Sequence, residues 1–277
     1  MVDRTNFYEV LSAAIDDMAA NGFDSVERVQ RWTEALRVAA QGATAPPAEL
    51  EEMLRSGLAS VYKRLVDDAG IVRLHPNLGR FTLQQVRPKL RAELDRRIMA
   101  SANLIKLNRQ QAIDKTLQRF QGWATSIPAG GSAEPEKAKT RKNVRKALAQ
   151  LPFEERRVLI DQGHKLAAAL SHTLASDGGA IAARWRSHWR QAGYDYRPDH
   201  KDRDERVYAL RDSWAMQRGL MKKGPNPFYD QITAVGEEPF CRCYAVWLYA
   251  IRDLPKEMVT VKGQGALDEA RAAVAAM

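Results

Sequence analysis

From Phe7 to Phe120 the apolar residues return every three or four positions, a period that helices satisfy and strands do not. Phe7, Val10, Leu11, Ala14, Ile15 and Met18 form one stripe, which Asn21-Gly22 interrupts. Ser25 restarts the pattern, with Val26, Val29, Trp32, Leu36 and Ala39 as its inward face. Pro46-Pro47 stops it, because proline has no N–H to give to a helix interior. A further helix is expected from Ala48 to about Ala69, ended by Gly70, with Leu50, Leu54, Leu58, Val61, Tyr62 and Leu65 inward. After a loop at residues 75–79, a long helical tract covers residues 82–122. Its buried stripe is Leu83, Val86, Leu90, Leu94, Ile98, Ala102, Ile105, Ile113, Leu117 and Phe120, and Pro88 is expected in its first turn, where a missing N–H costs little.

Residues 126–137 break this regime with Gly130-Gly131 and two prolines, so a linker and domain boundary are expected there. A basic run follows: Lys137, Lys139, Arg141, Lys142, Arg145 and Lys146. Helix is expected again over residues 148–174 and, after Gly178-Gly179, over 180–191, which would put Trp185 and Trp189 on one face and Arg186 and Arg190 on another. Beyond Gly193 the period shortens. Residues 207–210 read as a short strand, and residues 240–251 alternate, with Cys241, Cys243, Ala245, Trp247, Tyr249 and Ile251 on one side. The Ala-rich end, from Ala266, reads as a short frayed helix. The fold class expected is therefore mainly α: a helical N-terminal half with a smaller α+β C-terminal module. The expected divisions are a helical domain at 1–126, linker and basic run at 127–147, the C-terminal module at 148–260 and a tail at 261–277.

Composition narrows the functional classes. The longest uninterrupted apolar run is residues 244–251, far short of the roughly 20 residues a membrane helix needs. The first residues carry Asp3, Arg4 and Glu9 rather than a signal-peptide core, so synthesis and folding in a cytoplasm are expected, with no membrane partner. A net charge of +9 and a pI near 9.6 suit a protein that lies against double-stranded DNA. Two cysteines in 277 residues make no disulfide framework, and their one-residue separation strains mutual pairing.

The segment 185–243 holds the residues with chemistry. Cys241, Cys243 and His200 are donors of the kind zinc prefers, yet paired zinc cysteines are usually further apart and no fourth ligand is evident. The sequence favours two thiols packed as small buried apolar groups, with no cofactor. His200 lies among Asp199, Asp202 and Asp204, which suits an oriented base with a cysteine nucleophile. No nucleophile elbow or phosphate loop accompanies it, so a turn held by hydrogen bonds is the favoured reading and no catalytic residue is assigned. Both Trp of the expected helix read as core. The basic run beside the linker is the stronger candidate for phosphate contact, against the alternative of a solvated helix start.

Trp185 or Trp189, then Arg197-x-x-His200 with acidic Asp202, then Pro239-x-Cys241-Arg242-Cys243 resemble the C-terminal part of the phage Mu F-like head morphogenesis family, over about residues 150–255. The Cys-Arg-Cys ending is the most specific element. Where that family has a glycine just after the His segment, this chain has Asp202-Arg203-Asp204. The resemblance implies a minor head protein of a tailed phage: structural, non-catalytic, present in few copies in the virion head, multimeric there and associated with portal and major capsid proteins. It further implies that Trp185, Trp189, Arg197, His200, Asp202, Pro239, Cys241, Arg242 and Cys243 are structural motif residues forming one cluster. Two other classes stay open: a non-specific DNA-binding protein of packaging or ejection, and a phage-encoded enzyme using His200 and the cysteine pair.

Overall fold

The structure is a computed structural model that describes residues 4–44, 47–66, 75, 80–132 and 136–276. Five long helices come first: α1 (Arg4–Asn21), α2 (Val26–Gly42), α3 (Pro47–Val66), α4 (Arg80–Ala124) and α5 (Lys137–Asp177). Strands β1 (Ala182–Arg186), β2 (Val207–Ala209) and β3 (Tyr244–Leu248) follow, with two short helices, α6 (Pro198–Asp202) and α7 (Trp214–Gln217), between them and α8 (Val261–Ala275) last. The mainly helical fold with a small α+β C-terminal part is as the sequence predicts.

The chain forms two compact units, one from Met1–Arg55 and Ile98–Leu159, the other from Ser56–Arg97 and Ile160–Met277. The divisions fall inside α3, α4 and α5, not at the expected boundary of 127–147. That boundary rested on Gly130-Gly131, but these glycines serve a tight contact instead of a tether. Phe23 N–H donates to Ile127 O, Gly130 N–H to Asn21 O and Ser132 N–H to Ala19 O, so residues 127–132 are tied to the end of α1. Gly22 and Gly131 both hold positive φ, and a Cβ on Gly22 would sit 1.8 Å from Pro128 O. Residues 133–135 lie outside the described residues.

The first unit is a helical core that buries most of the sequence stripes: Phe7, Leu11, Ala14, Ile15 and Met18 from α1, Val29, Leu36 and Ala39 from α2, and Ile113, Leu117 and Phe120 from α4, whereas Val26, expected inward at the start of α2, is exposed. Trp32 packs only partly buried, because its Nε1–H reaches the Asp17 carboxylate at 2.6 Å. Ser25 caps α2 by accepting the Arg28 N–H, and Arg28 returns to Asp17 at 2.9 Å. α3 buries Leu50, Leu54 and Leu58 as expected, while Val61, Tyr62 and Leu65 are half-buried. The expected end of this helix at residues 67–70, and residues 76–79 of the loop, lie outside the described residues. α4 begins at Arg80, so Pro88 lies beyond the first turn where it was expected. The helix continues through it because Val86 and Leu90 on either side are buried.

The second unit contains the sheet, which is antiparallel in the order β2-β1-β3. Residues 182–186 were expected as helix and are strand. Alanine and arginine favour helix, but Gly179 at φ 76° turns the chain after α5 and delivers it between two partners. Ala183 pairs with Tyr208 on one side and Trp247 on the other, so residues 182–184 have ladder partners on both sides and Trp185 and Arg186 pair with β3. Both faces are covered. Ala183, Trp185, Tyr208 and Trp247 pack with the two cysteines, and Ala182, Val207, Ala209 and Leu248 with Ile251, Leu254 and Met258. The expected strand at 207–210 is β2, and the alternating run 240–251 contains β3. The tail is a capped helix: Thr260 accepts the Gly263 N–H, and Gly263 lies so close to Leu220 O that a Cβ would come within 2.0 Å.

Candidate functional site

Period-two alternation at the head of β3 puts Cys241 and Cys243 on one side of the chain and Arg242 on the other, and both thiols are buried. Helix α6 begins with Pro198 at its first position and brings His200 inward to 2% exposure. The His200 Nδ1 lies 3.7 Å from Cys241 Sγ and 3.5 Å from Cys243 Sγ. Trp185 closes the cluster, its ring edge-on to the imidazole at 5.3 Å and itself covered by the Arg203 guanidinium at 5.1 Å. Residues 41 and 43 apart in sequence thus meet around one imidazole.

Arg197 fixes the two halves together. Its Nη2 donates to Pro239 O at 2.9 Å, and its Nε pairs with Glu238 at 2.5 Å. Phe240 follows with φ 60°, a left-handed conformation that β-carbons resist, and its N–H donates to the buried Asp161 carboxylate at 2.6 Å. Lys165, 3.1 Å from Asp161, balances that charge. This anchored turn aims both cysteine side chains at His200.

Three of the five buried side-chain nitrogen and oxygen atoms that lack a hydrogen-bond partner among the described residues belong to this cluster: Trp185 Nε1, Ser187 Oγ and His200 Nε2. The first two lie beside Cys243 and act to lower its thiol against the effect of burial. The neighbouring Cys243 thiol, as hydrogen-bond donor, draws the Cys241 thiol well below its ordinary value against the opposing effect of burial; backbone N–H groups of Gly236 and Cys243 help. Cys243, as the donor of that pair, is held up, with burial acting the same way. On the far side of the ring, the Glu238 and Asp199 carboxylates stand 3.6 and 3.9 Å from Nε2.

The other motif residues surround this centre without joining it. Trp189 follows β1 and is half-buried, so it is not the core residue expected. Its Nε1–H donates to Asp204 at 2.8 Å, and Arg190 and Lys201 each lie 4.8 Å from its ring centre. Arg186 and Arg190 share no helix face, since Arg186 is on the strand and pairs with Glu205. Arg242 stacks over Tyr194 at 5.5 Å, and its N–H donates to the Tyr194 hydroxyl. Asp202 is exposed; Asp204 does the work of the acidic turn, accepting both Ser187 N–H and Trp189 Nε1–H. The left-handed residue of this turn is Glu205, at φ 68°.

Sequence reasoning missed Asp161 and Glu238. Asp204 lay in the acidic run already noted, but nothing local marks Asp161, which acts 79 residues from its partner.

Of the basic run, four residues are engaged within the first unit. Lys137 and Arg141 pair with Asp16, Lys139 with Glu136, and Arg145 covers the Tyr8 ring. The run is the start of α5 rather than a free segment, and Lys142 and Lys146 are exposed on it. A cavity of about 470 Å³ lies beside His172, Tyr229, Arg211 and Asp230, and His200 is not among its walls. No described helix is long and apolar enough to cross a membrane. Comparison with family profiles, curated proteins and solved structures finds no match for this chain.

Proposed function

We propose that this chain is a minor head protein of a tailed phage, structural and non-catalytic, acting in head morphogenesis near the portal. Its partners in this reading are portal and major capsid proteins, in few copies within the virion head, with packaged double-stranded DNA touched only by charge. The observation that supports it is the meeting of the two motif halves. Arg197-x-x-His200 and Pro239-x-Cys241-Arg242-Cys243 close on each other through His200 to both sulfurs and Arg197 to Pro239 O. A motif whose parts hold each other, with its imidazole and thiols 6% exposed or less, suits a scaffold for assembly surfaces better than a site open to substrate.

Mass spectrometry of heads purified from lysates that carry the gene, beside heads from a deletion, tests this reading. The protein at low copy in mature heads, with assembly impaired in the deletion, is the result expected. Heads that assemble normally and never contain the protein would sink it.

A further inference from the structure

The clustering of His200, Cys241 and Cys243 has the dimensions of a coordination site. A tetrahedral zinc ion with bonds of about 2.3 Å to sulfur and about 2.05 Å to nitrogen separates its S and N ligands by about 3.6 Å. The two Nδ1···Sγ separations are 3.7 and 3.5 Å, and all three atoms lie within 4.8 Å of one another. Both distances also fit hydrogen bonds to sulfur, but the ring is directed at both sulfurs at once. One nitrogen lone pair cannot serve two thiols equally; an ion between the three atoms can.

We propose that His200 Nδ1, Cys241 Sγ and Cys243 Sγ bind one zinc ion, with a solvent molecule as its fourth ligand. The donor set selects the metal, since two thiolates and an imidazole suit zinc and reject magnesium and calcium. The surroundings supply what such ligands need. Buried Trp185 N–H and Ser187 O–H, which find no nitrogen or oxygen acceptor, lie beside Cys243, and the backbone N–H groups of Gly236 and Cys243 donate to Cys241. Donors of this kind stabilise thiolates. The Glu238 and Asp199 carboxylates stand on the Nε2 side, the place from which a carboxylate fixes the tautomer of a metal-bound histidine. A cavity of about 220 Å³ borders Cys243, His188 and His164. The short Cys-x-Cys spacing is no obstacle, because alternation already turns both side chains to one side.

Metal analysis of the full chain purified without chelator, followed by cobalt titration of the protein stripped of metal, tests the site. One zinc per chain is expected, and cobalt should give intense visible absorption with a sulfur-to-cobalt charge-transfer band. Cys243→Ser and His200→Asn should each lose the band and the bound zinc. Because those variants can also misfold, their far-ultraviolet dichroism is compared with wild type, and the wild-type cobalt spectrum decides the matter without them. Wild-type protein that purifies with substoichiometric metal and gives no charge-transfer band with excess cobalt overturns the proposal. So does a full band retained by a folded Cys243→Ser chain. Neither result bears on whether the protein is found in phage heads.

Discussion

Phe240 and His75 each sit where their chemistry is at odds with their surroundings. An aromatic residue at φ 60° bears a β-carbon clash that glycine escapes. Substituting Phe240 by glycine or by alanine removes the same ring, but only glycine relieves the backbone. The glycine variant should therefore exceed the alanine variant in stability by about 1 kcal/mol. Urea unfolding of the pair measures this, and an alanine variant as stable as the glycine one refutes the strain. His75 is 1% exposed, its Nδ1 2.6 Å from the Tyr249 hydroxyl and its Nε2 near Ser171. Burial pushes its pKa down to about 4. The unfolded chain takes up that proton below its ordinary value while the folded chain resists. The contribution to stability is thus complete above about pH 6.5, shrinks as pH falls, and levels off below about pH 4. By pH 5 the loss from this residue alone is about 2 kcal/mol. Unfolding at neutral pH and near pH 5, in wild type and His75→Gln, should show a smaller acid loss in the variant; equal losses would remove His75 as the cause.

Among the elements, glycines separate what local preference decides from what packing decides. Gly22 and Gly122 look alike in sequence, each following a helical stripe. Gly22, at φ 73°, lies against the Pro128 carbonyl, whereas a Cβ on Gly122 meets nothing within 4 Å inside α4. Gly22→Ala should cost at least about 2 kcal/mol. Gly122→Ala should instead gain about 0.5–1 kcal/mol from helix propensity. Thermal melts of the two variants must move in opposite directions if residues 127–132 are fastened to α1 as described. The same distinction explains β1. Ile181, Trp185 and Trp189 stand four apart and imitate a helical face, but strand pairing on both sides of residues 182–186 overrides that pattern. No residue within the segment reports the presence of those partners.

At the scale of the molecule, four of the six residues of the basic run already have partners within the first unit, three in ion pairs with Asp16 or Glu136 and one over the Tyr8 ring. Duplex binding, where it occurs through this run, rests on Lys142 and Lys146. Replacing both by glutamine should reduce the slope of log affinity against log salt by about 2. Fluorescence anisotropy with a random duplex at several salt concentrations gives the slope, and an unchanged value places the contact elsewhere.

The sequence by itself determined the helices and their buried stripes, since the period that makes a helix amphipathic is carried by neighbouring residues. Leu90, Leu94, Ile98, Ile105 and Phe120 are buried as their spacing demands. It also singled out His200, Cys241 and Cys243, because those side-chain types are rare in this chain, while favouring buried thiols over a metal site. Tertiary structure alone decided that β1 is a strand, that the glycine-rich stretch is a clasp, and that Asp161 and Glu238 position the cysteine turn. Each of these depends on a partner far along the chain, and a contact between distant residues leaves no period or spacing to read.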